Sequence, residues 1–243
     1  MLPRLLKTGL LAGFLTAIVY TLVQAVTVTP LILEAETYEQ TREHHAALQS
    51  AAGNPTLLML VHGGAAPGSG MDAETATWAP ADGAERLFFT FLANLVMGIG
   101  FACALVAAMA LRGRPVDARS GLLWGLAGFA VFTVAPALGL PPEVPGSAAA
   151  DLTARQVWWA ATAAATAGGL ALIAFTPRRA LQALGLAAIL APHLIGAPHP
   201  PAGEHGVVPP ELASHFVVWT LATAALFWAV LGTACGDLYR RFA

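Results

Sequence analysis

Charged side chains are scarce in this 243-residue chain, at 11% of the total, where a soluble domain carries roughly 25%. Lysine is almost missing: Lys7 is the single one among twelve basic residues. That shortage disfavours a nucleic-acid surface. No G-x-x-x-x-G-K-[ST] run is present, so there is no P-loop and no nucleotide is expected as a cofactor. Cysteine is also sparse. Cys103 and Cys235 lie in or at the end of apolar runs without a C-x-x-C, and they read as small buried residues, not as a disulfide or a thiolate metal site. Neither G-x-S-x-G nor H-E-x-x-H occurs, and the Ser and Cys residues lack a base at motif spacing, so no enzymatic activity is expected.

What is abundant is apolar surface. Hydrophobic residues make up 57% of the chain and the mean hydropathy is +0.66. A core of this size cannot hide so much Ala, Leu, Val and Gly, so lipid must solvate much of it. The expected fold is all-α, a polytopic membrane helix bundle forming a single integral domain over 1–243. A bilayer needs roughly 20 apolar residues per helix. Six stretches qualify: about Thr8 to Thr29, Leu87 to Leu111, Gly121 to Leu140, Val157 to Phe175, Ala180 to Gly196 and His215 to Cys235. The fifth is the shortest and contains Pro192, which predicts a kinked or partly re-entrant segment. The first apolar run reaches Leu33, too long for a usual signal-peptide core, and reads as a retained span.

Orientation follows from the basic residues. Arg4, Lys7, Arg112, Arg114, Arg119, Arg178, Arg179, Arg240 and Arg241 all fall on one side of a six-span chain, which the positive-inside rule makes cytoplasmic. Both termini are then cytoplasmic, and the expected location is the inner membrane of a bacterial-type cell. The acids do the opposite: only Asp117 and Asp237 lie on the basic side. A long non-cytoplasmic loop is expected over 34–86, and a His- and Pro-rich one over 197–214. Gly9 with Gly13, and Gly121 with Gly125, have the spacing that lets helices approach closely. Packing within the chain is the preferred reading, with self-association as a homo-oligomer left open. Trp158 and Trp159 sit where span four meets the outer interface, as an aromatic anchor would.

The outer ends of spans three and five look alike. Ala135-Pro136-Ala137-Leu138 leads to Glu143 seven residues beyond its proline, and Ala191-Pro192-His193-Leu194 leads to His199 at the same offset. Span one has Pro30 followed by Glu34 and Glu36. This suggests three in-out-in hairpins, each carrying an oxygen or nitrogen ligand at its outer turn.

All seven histidines lie on the outer side or in the outer part of a span. Imidazole and carboxylate together suit divalent ions such as cobalt, nickel and zinc. Glu36, Glu39, Gln40 and Glu43 follow a helical period, so a helix continuing past the membrane lines one face with carboxylates beside His44 and His45. A second group, His193, His199, Glu204, His205, Glu211 and His215, surrounds the last outer loop. His193 and His215 lie in or near the membrane, where ionisable residues are costly and usually have a task. The candidate metal ligands are Glu36, Glu39, His44, His45, Glu143, His193, His199, His205 and His215. His62-Gly63-Gly64 is a flexible Gly-rich stretch that alone supports neither phosphate binding nor catalysis.

Gly121-Leu122-Leu123-Trp124-Gly125-Leu126-Ala127-Gly128-Phe129, continuing through Ala135-Pro136-Ala137-Leu138-Gly139-Leu140-Pro141-Pro142-Glu143 to Pro145-Gly146, resembles the signature of the CbtA family of cobalt transporter subunits. Further similarity lies in Ala35-Glu36-Thr37-Tyr38-Glu39, in Ala154-Arg155-Gln156-Val157-Trp158-Trp159 and in Ile195-Gly196-Ala197-Pro198, and it covers nearly the whole chain. The resemblance implies Co²⁺ uptake for cobalamin biosynthesis alongside a small histidine-bearing membrane partner, CbtB. That family is described with five helices, against the six counted here. Affinity order alone would favour Ni²⁺ over Co²⁺ at a generic nitrogen and oxygen site, so the choice of cobalt rests on the resemblance. Two other functions compete: a b-type haem or electron-transfer subunit with His193 and His215 as axial ligands, and a non-transporting assembly subunit.

Overall fold

The computed structural model describes residues 2–52 and 80–242, and every regular element among them is helical. In chain order these are α1 (Leu2–Val26), α2 (Val28–Ala52), α3 (Ala84–Arg112), α4 (Ala118–Ala137), α5 (Leu152–Phe175), α6 (Arg179–Ile195) and α7 (Pro210–Arg241). His62-Gly63-Gly64 lies outside the described residues.

Proline sets the helix ends at the end of the bundle away from Arg4 and Arg112. Pro30 is the third residue of α2, and its missing N–H would deprive the Val26 carbonyl of a partner. The helix breaks there at Thr27, whose N–H turns back to Gln24 O at 3.2 Å. Pro136 does the same to Phe132, and the preceding turn, Ala130–Val134, widens to π-helix with Ala135 N–H reaching Ala130 O. Pro192 interrupts the last turn of α6, which ends at Gly196, a glycine with φ 93°. At the other end of the bundle α4 starts with a capping box between Asp117 and Ser120. The Asp117 carboxyl accepts from the Ser120 backbone N–H and hydroxyl, which hold it below its usual range.

Among the described residues five helices are long and apolar enough to cross a bilayer, and α6, at 17 residues, is the shorter sixth. At 1.5 Å per residue α6 is about 26 Å long, close to the roughly 30 Å hydrocarbon core. It runs back along α5: Gly185 meets Gly169, and His193 near its end meets Trp158 near the start of α5. The chain is therefore carried back to the Trp158 end before α7 begins. The six expected stretches all appear as helices, and the difference between five and six rests on this one short element.

Glycine makes the tightest contacts. A Cβ on Gly121 would lie 2.3 Å from Gly232 O, and one on Gly236 would lie 2.1 Å from Asp117 O. The G-x-x-x-G of α4 thus meets a second one, Gly232 and Gly236, on α7. Gly13 presses in the same way on Ile99 of α3. Both glycine pairs expected from the sequence serve contacts inside the chain. Around them Ala12, Ala102, Val106, Met109, Leu231 and Cys235 form the main core between α1, α3 and α7. Cys235 is fully buried and Cys103 half-buried, both unbridged. Leu10, Leu11, Phe14 and Leu15 face outward, the apolar exterior that lipid solvates.

The ends of the bundle differ in charge. At one end Arg4 Nε donates to Tyr239 O at 2.9 Å, and the Arg112 guanidinium stacks 4.4 Å over the Phe175 ring. At the other, a second small core of Val28, Ala35, Val144, Leu212 and Phe216 joins the base of α2 to the α4–α5 loop and the start of α7. The proline-marked ends recur, but helix pairing does not: α1 lies on α3, whereas α6 packs chiefly on α5 and α4 on α7.

Candidate metal-collecting face

The helix expected after the first span is present as α2, and its acids face different neighbours. Glu36 is gripped at both oxygens by Arg86 at the start of α3, Nη1 to Oε1 at 2.8 Å and Nη2 to Oε2 at 3.0 Å. Asp82 approaches the same guanidinium, with Oδ1 3.0 Å from Nε. Glu39, one turn on, is half-buried, its Cβ beside Gly146 of the α4–α5 loop. His44 and His45 follow on the exposed part of α2 with ring centroids 6.4 Å apart.

Glu143 occupies the loop after α4 and receives Arg155 Nη2 of α5 at 2.6 Å. Both side chains are about a quarter exposed, at 26% and 29%. Beside them is a vestibule of about 410 Å³ lined by Thr133, Pro136, Glu143, Arg155 and Gln156, with Phe132 and Trp159 as apolar walls. Its inner wall is the π-helical turn. There Thr133 Oγ1 accepts from Trp228 Nε1 at 3.3 Å, and the Phe132 ring stacks on Trp228 at 5.7 Å. The vestibule therefore ends against an aromatic layer within the bundle.

The remaining histidines are dispersed. His193 is half-buried against the edge of Trp158, centroids 5.9 Å apart. His199 and His205 are exposed on the α6–α7 loop, which is tied to the α4–α5 loop by Val207 N–H to Gly146 O at 3.0 Å. His215 is exposed in the second turn of α7. Among the described residues no three His, Cys, Asp or Glu side chains gather as a closed metal site. The nine candidates thus lie toward one end of the molecule, with Glu36 and Glu143 in separate arginine pairs and the imidazoles mostly exposed.

Those arginines are what reading by motif passes over. Arg86 and Arg155 belong to the three basic residues, with Arg42, that do not lie on the basic side of the six-span chain. That exception was itself the available signal, because an arginine against the charge bias needs a local carboxylate to hold it. Thr133 and Gln156 had no such signal, since only the fold brings them to one cavity.

Neither a curated protein nor a solved structure matches this chain. A family model does, over residues 2–240, under the description "Probable cobalt transporter subunit (CbtA)". With nearly its whole length matched, and with apolar helices that suit a multi-pass membrane subunit, the chain belongs to the CbtA family of cobalt transporter subunits.

Proposed function

We propose that this chain is the subunit that takes up Co²⁺ from the outer side, with its histidines and carboxylates as the collecting surface and a small histidine-bearing CbtB-like subunit as its partner. The observation that carries the reading is the Glu143 vestibule. It stands at the His- and acid-bearing end, has a carboxylate on its rim, and ends on the π-helical turn that shapes the bundle interior. π-turns inside α-helices occur frequently at functional sites.

Open ligands suit a cargo. A surface that passes an ion on must bind it well enough to collect it and weakly enough to release it. Glu36, Glu39, His44 and His45 form one group on α2, and Glu143, His193, His199, His205 and His215 a second around the two outer loops. Glu36 and Glu143 are held by Arg86 and Arg155, so an arriving dication exchanges for a guanidinium and leaves no carboxylate unpaired. That exchange keeps the empty face charge-balanced. Ni²⁺ is the competing ion that such ligands bind at least as well.

The test is cobalt accumulation in cells co-expressing the chain and its partner, with Glu143→Gln, His193→Ala and His199→Ala compared with the unaltered chain. Reduced accumulation at normal membrane abundance is expected for each. Unchanged uptake in all three would remove these residues from the route. Radioactive cobalt flux into liposomes containing this chain alone separates a permease from an assembly subunit that only hands metal to another channel.

A further inference from the structure

A second cavity, of about 640 Å³, lies at the basic end between α3, α4 and α5. Its lining is almost entirely apolar, with Ala104, Leu123, Trp124 and Leu170 among its walls. Arg112 and Arg114 stand at its mouth, and its lining contains no carboxylate. Neither arginine forms an ion pair among the described residues; Arg112 instead lies over the Phe175 ring. Outward, the lining ends at Phe101, Phe132 and Trp228, whose rings contact one another at 4.8 to 5.7 Å. These features make it a poor place for a dication, which would find cationic groups and no anionic ligand.

The dimensions point to a different occupant. From Phe101 to Arg112 along α3 is eleven residues, about 16 Å at 1.5 Å per residue. That is about half of the roughly 30 Å hydrocarbon core, the depth of one leaflet. A spanning partner helix would have to continue past the aromatic floor. An acyl chain entering from one leaflet would stop there, with its headgroup level with the arginines. We propose that this cavity holds an acyl chain of an anionic phospholipid from the cytoplasmic leaflet, its phosphate bound by Arg112 and Arg114. Basic pockets between membrane helices on this side suit such headgroups. The bound chain would complete the packing of α5 on α3 and α4, where Leu123 of the cavity wall is otherwise exposed.

The test is lipid retention by the full-length protein in detergent, read by native mass spectrometry with phosphatidylglycerol and phosphatidylcholine offered in competition. A preference of about 25-fold for the anionic lipid is expected, the product of roughly fivefold for each arginine. Arg112→Gln/Arg114→Gln should abolish the preference. Arg240→Gln/Arg241→Gln should not, because those arginines already pair with Asp237. Ala104→Leu or Ala174→Leu, both exposed in the cavity wall, should reduce retention of either lipid by filling the space for the tail. Equal retention of the two lipids would overturn the headgroup assignment. Retention untouched by Ala104→Leu and Ala174→Leu would place the lipid on the surface instead, and loss of bound lipid on co-expression with the small partner would give the cavity to a helix; either result overturns the proposal.

Discussion

Replacing Gly232 with alanine should force α4 and α7 apart. A Cβ there would lie 2.4 Å from Gly121 O and 2.7 Å from Gly125 Cα, all backbone that cannot swing away. Ordinary contact begins near 3.4 Å, so the two helices must separate by about 1 Å at this level. A radial gap of 0.5–1 Å already forfeits about a quarter to a half of the dispersion well between facing atoms. The loss would run along the seam, since Gly121, Gly125 and Gly236 share it and the Trp228 ring rests on Gly128. Overpacking of this kind costs about 1–3 kcal/mol, a shift visible in SDS unfolding from mixed micelles followed by circular dichroism. Gly100→Ala and Gly168→Ala are the matched controls, because nothing lies within 4 Å of a Cβ at either position. They should be neutral or up to about 1 kcal/mol more stable, from helix propensity alone. A Gly232→Ala protein as stable as these controls would refute the claim that the glycine seam holds the bundle together.

Asn94→Leu tests the buried polar link between α1 and α3. Asn94 Nδ2 donates to Thr21 Oγ1 at 2.9 Å and to Gln24 Oε1 at 2.7 Å. Membrane hydrogen bonds average about 0.6 kcal/mol, so a loss of about 1 kcal/mol is expected in the same micelle assay. Part of it should return in Asn94→Leu/Gln24→Leu, which leaves one fewer unpaired polar group; no loss in the single variant would show that the pair contributes nothing. At the basic end, Asp117 has a folded-state pKa lowered by its Ser120 hydrogen bonds. Its stabilising effect is therefore complete above the unfolded carboxyl value of 3.8 and disappears as pH falls through the lower folded value. Asn caps a helix comparably but does not titrate there. Unfolding midpoints measured across this range should thus fall more steeply for the unaltered chain than for Asp117→Asn, and parallel curves would count against the linkage.

Several features of this molecule are written locally and were legible in the chain. Scarce charge and long apolar runs require helices, because lipid offers no partner for an open backbone group. Pro30, Pro136 and Pro192 mark helix breaks or ends because each removes one donor at a known position. The acid period from Glu36 to Glu43 predicts the α2 helix, and α2 does continue to Ala52. Glycine spacing likewise announced close packing, although only the fold shows that Gly121 and Gly125 meet Gly232 and Gly236, a partner more than 100 positions along the chain.

Other features are properties of distance in space, which a one-dimensional pattern does not contain. Charge bias predicts that Glu36 and Glu143 share one side, and tertiary structure decided that Arg86 and Arg155 would neutralise them individually. The histidines of the described residues lie on α2, α6, α7 and the loop between the last two, yet no three ligands converge there. The same distinction applies to the two cavities. The vestibule beside Glu143 is walled by α4, the loop after it and α5, and the lipid-sized space beneath Phe132 by α3, α4 and α5, so neither exists until those helices are packed. Composition and sidedness thus follow from the solvation of each segment, while counter-charges, cavities and the aromatic layer between them follow from which segments the folded chain sets side by side.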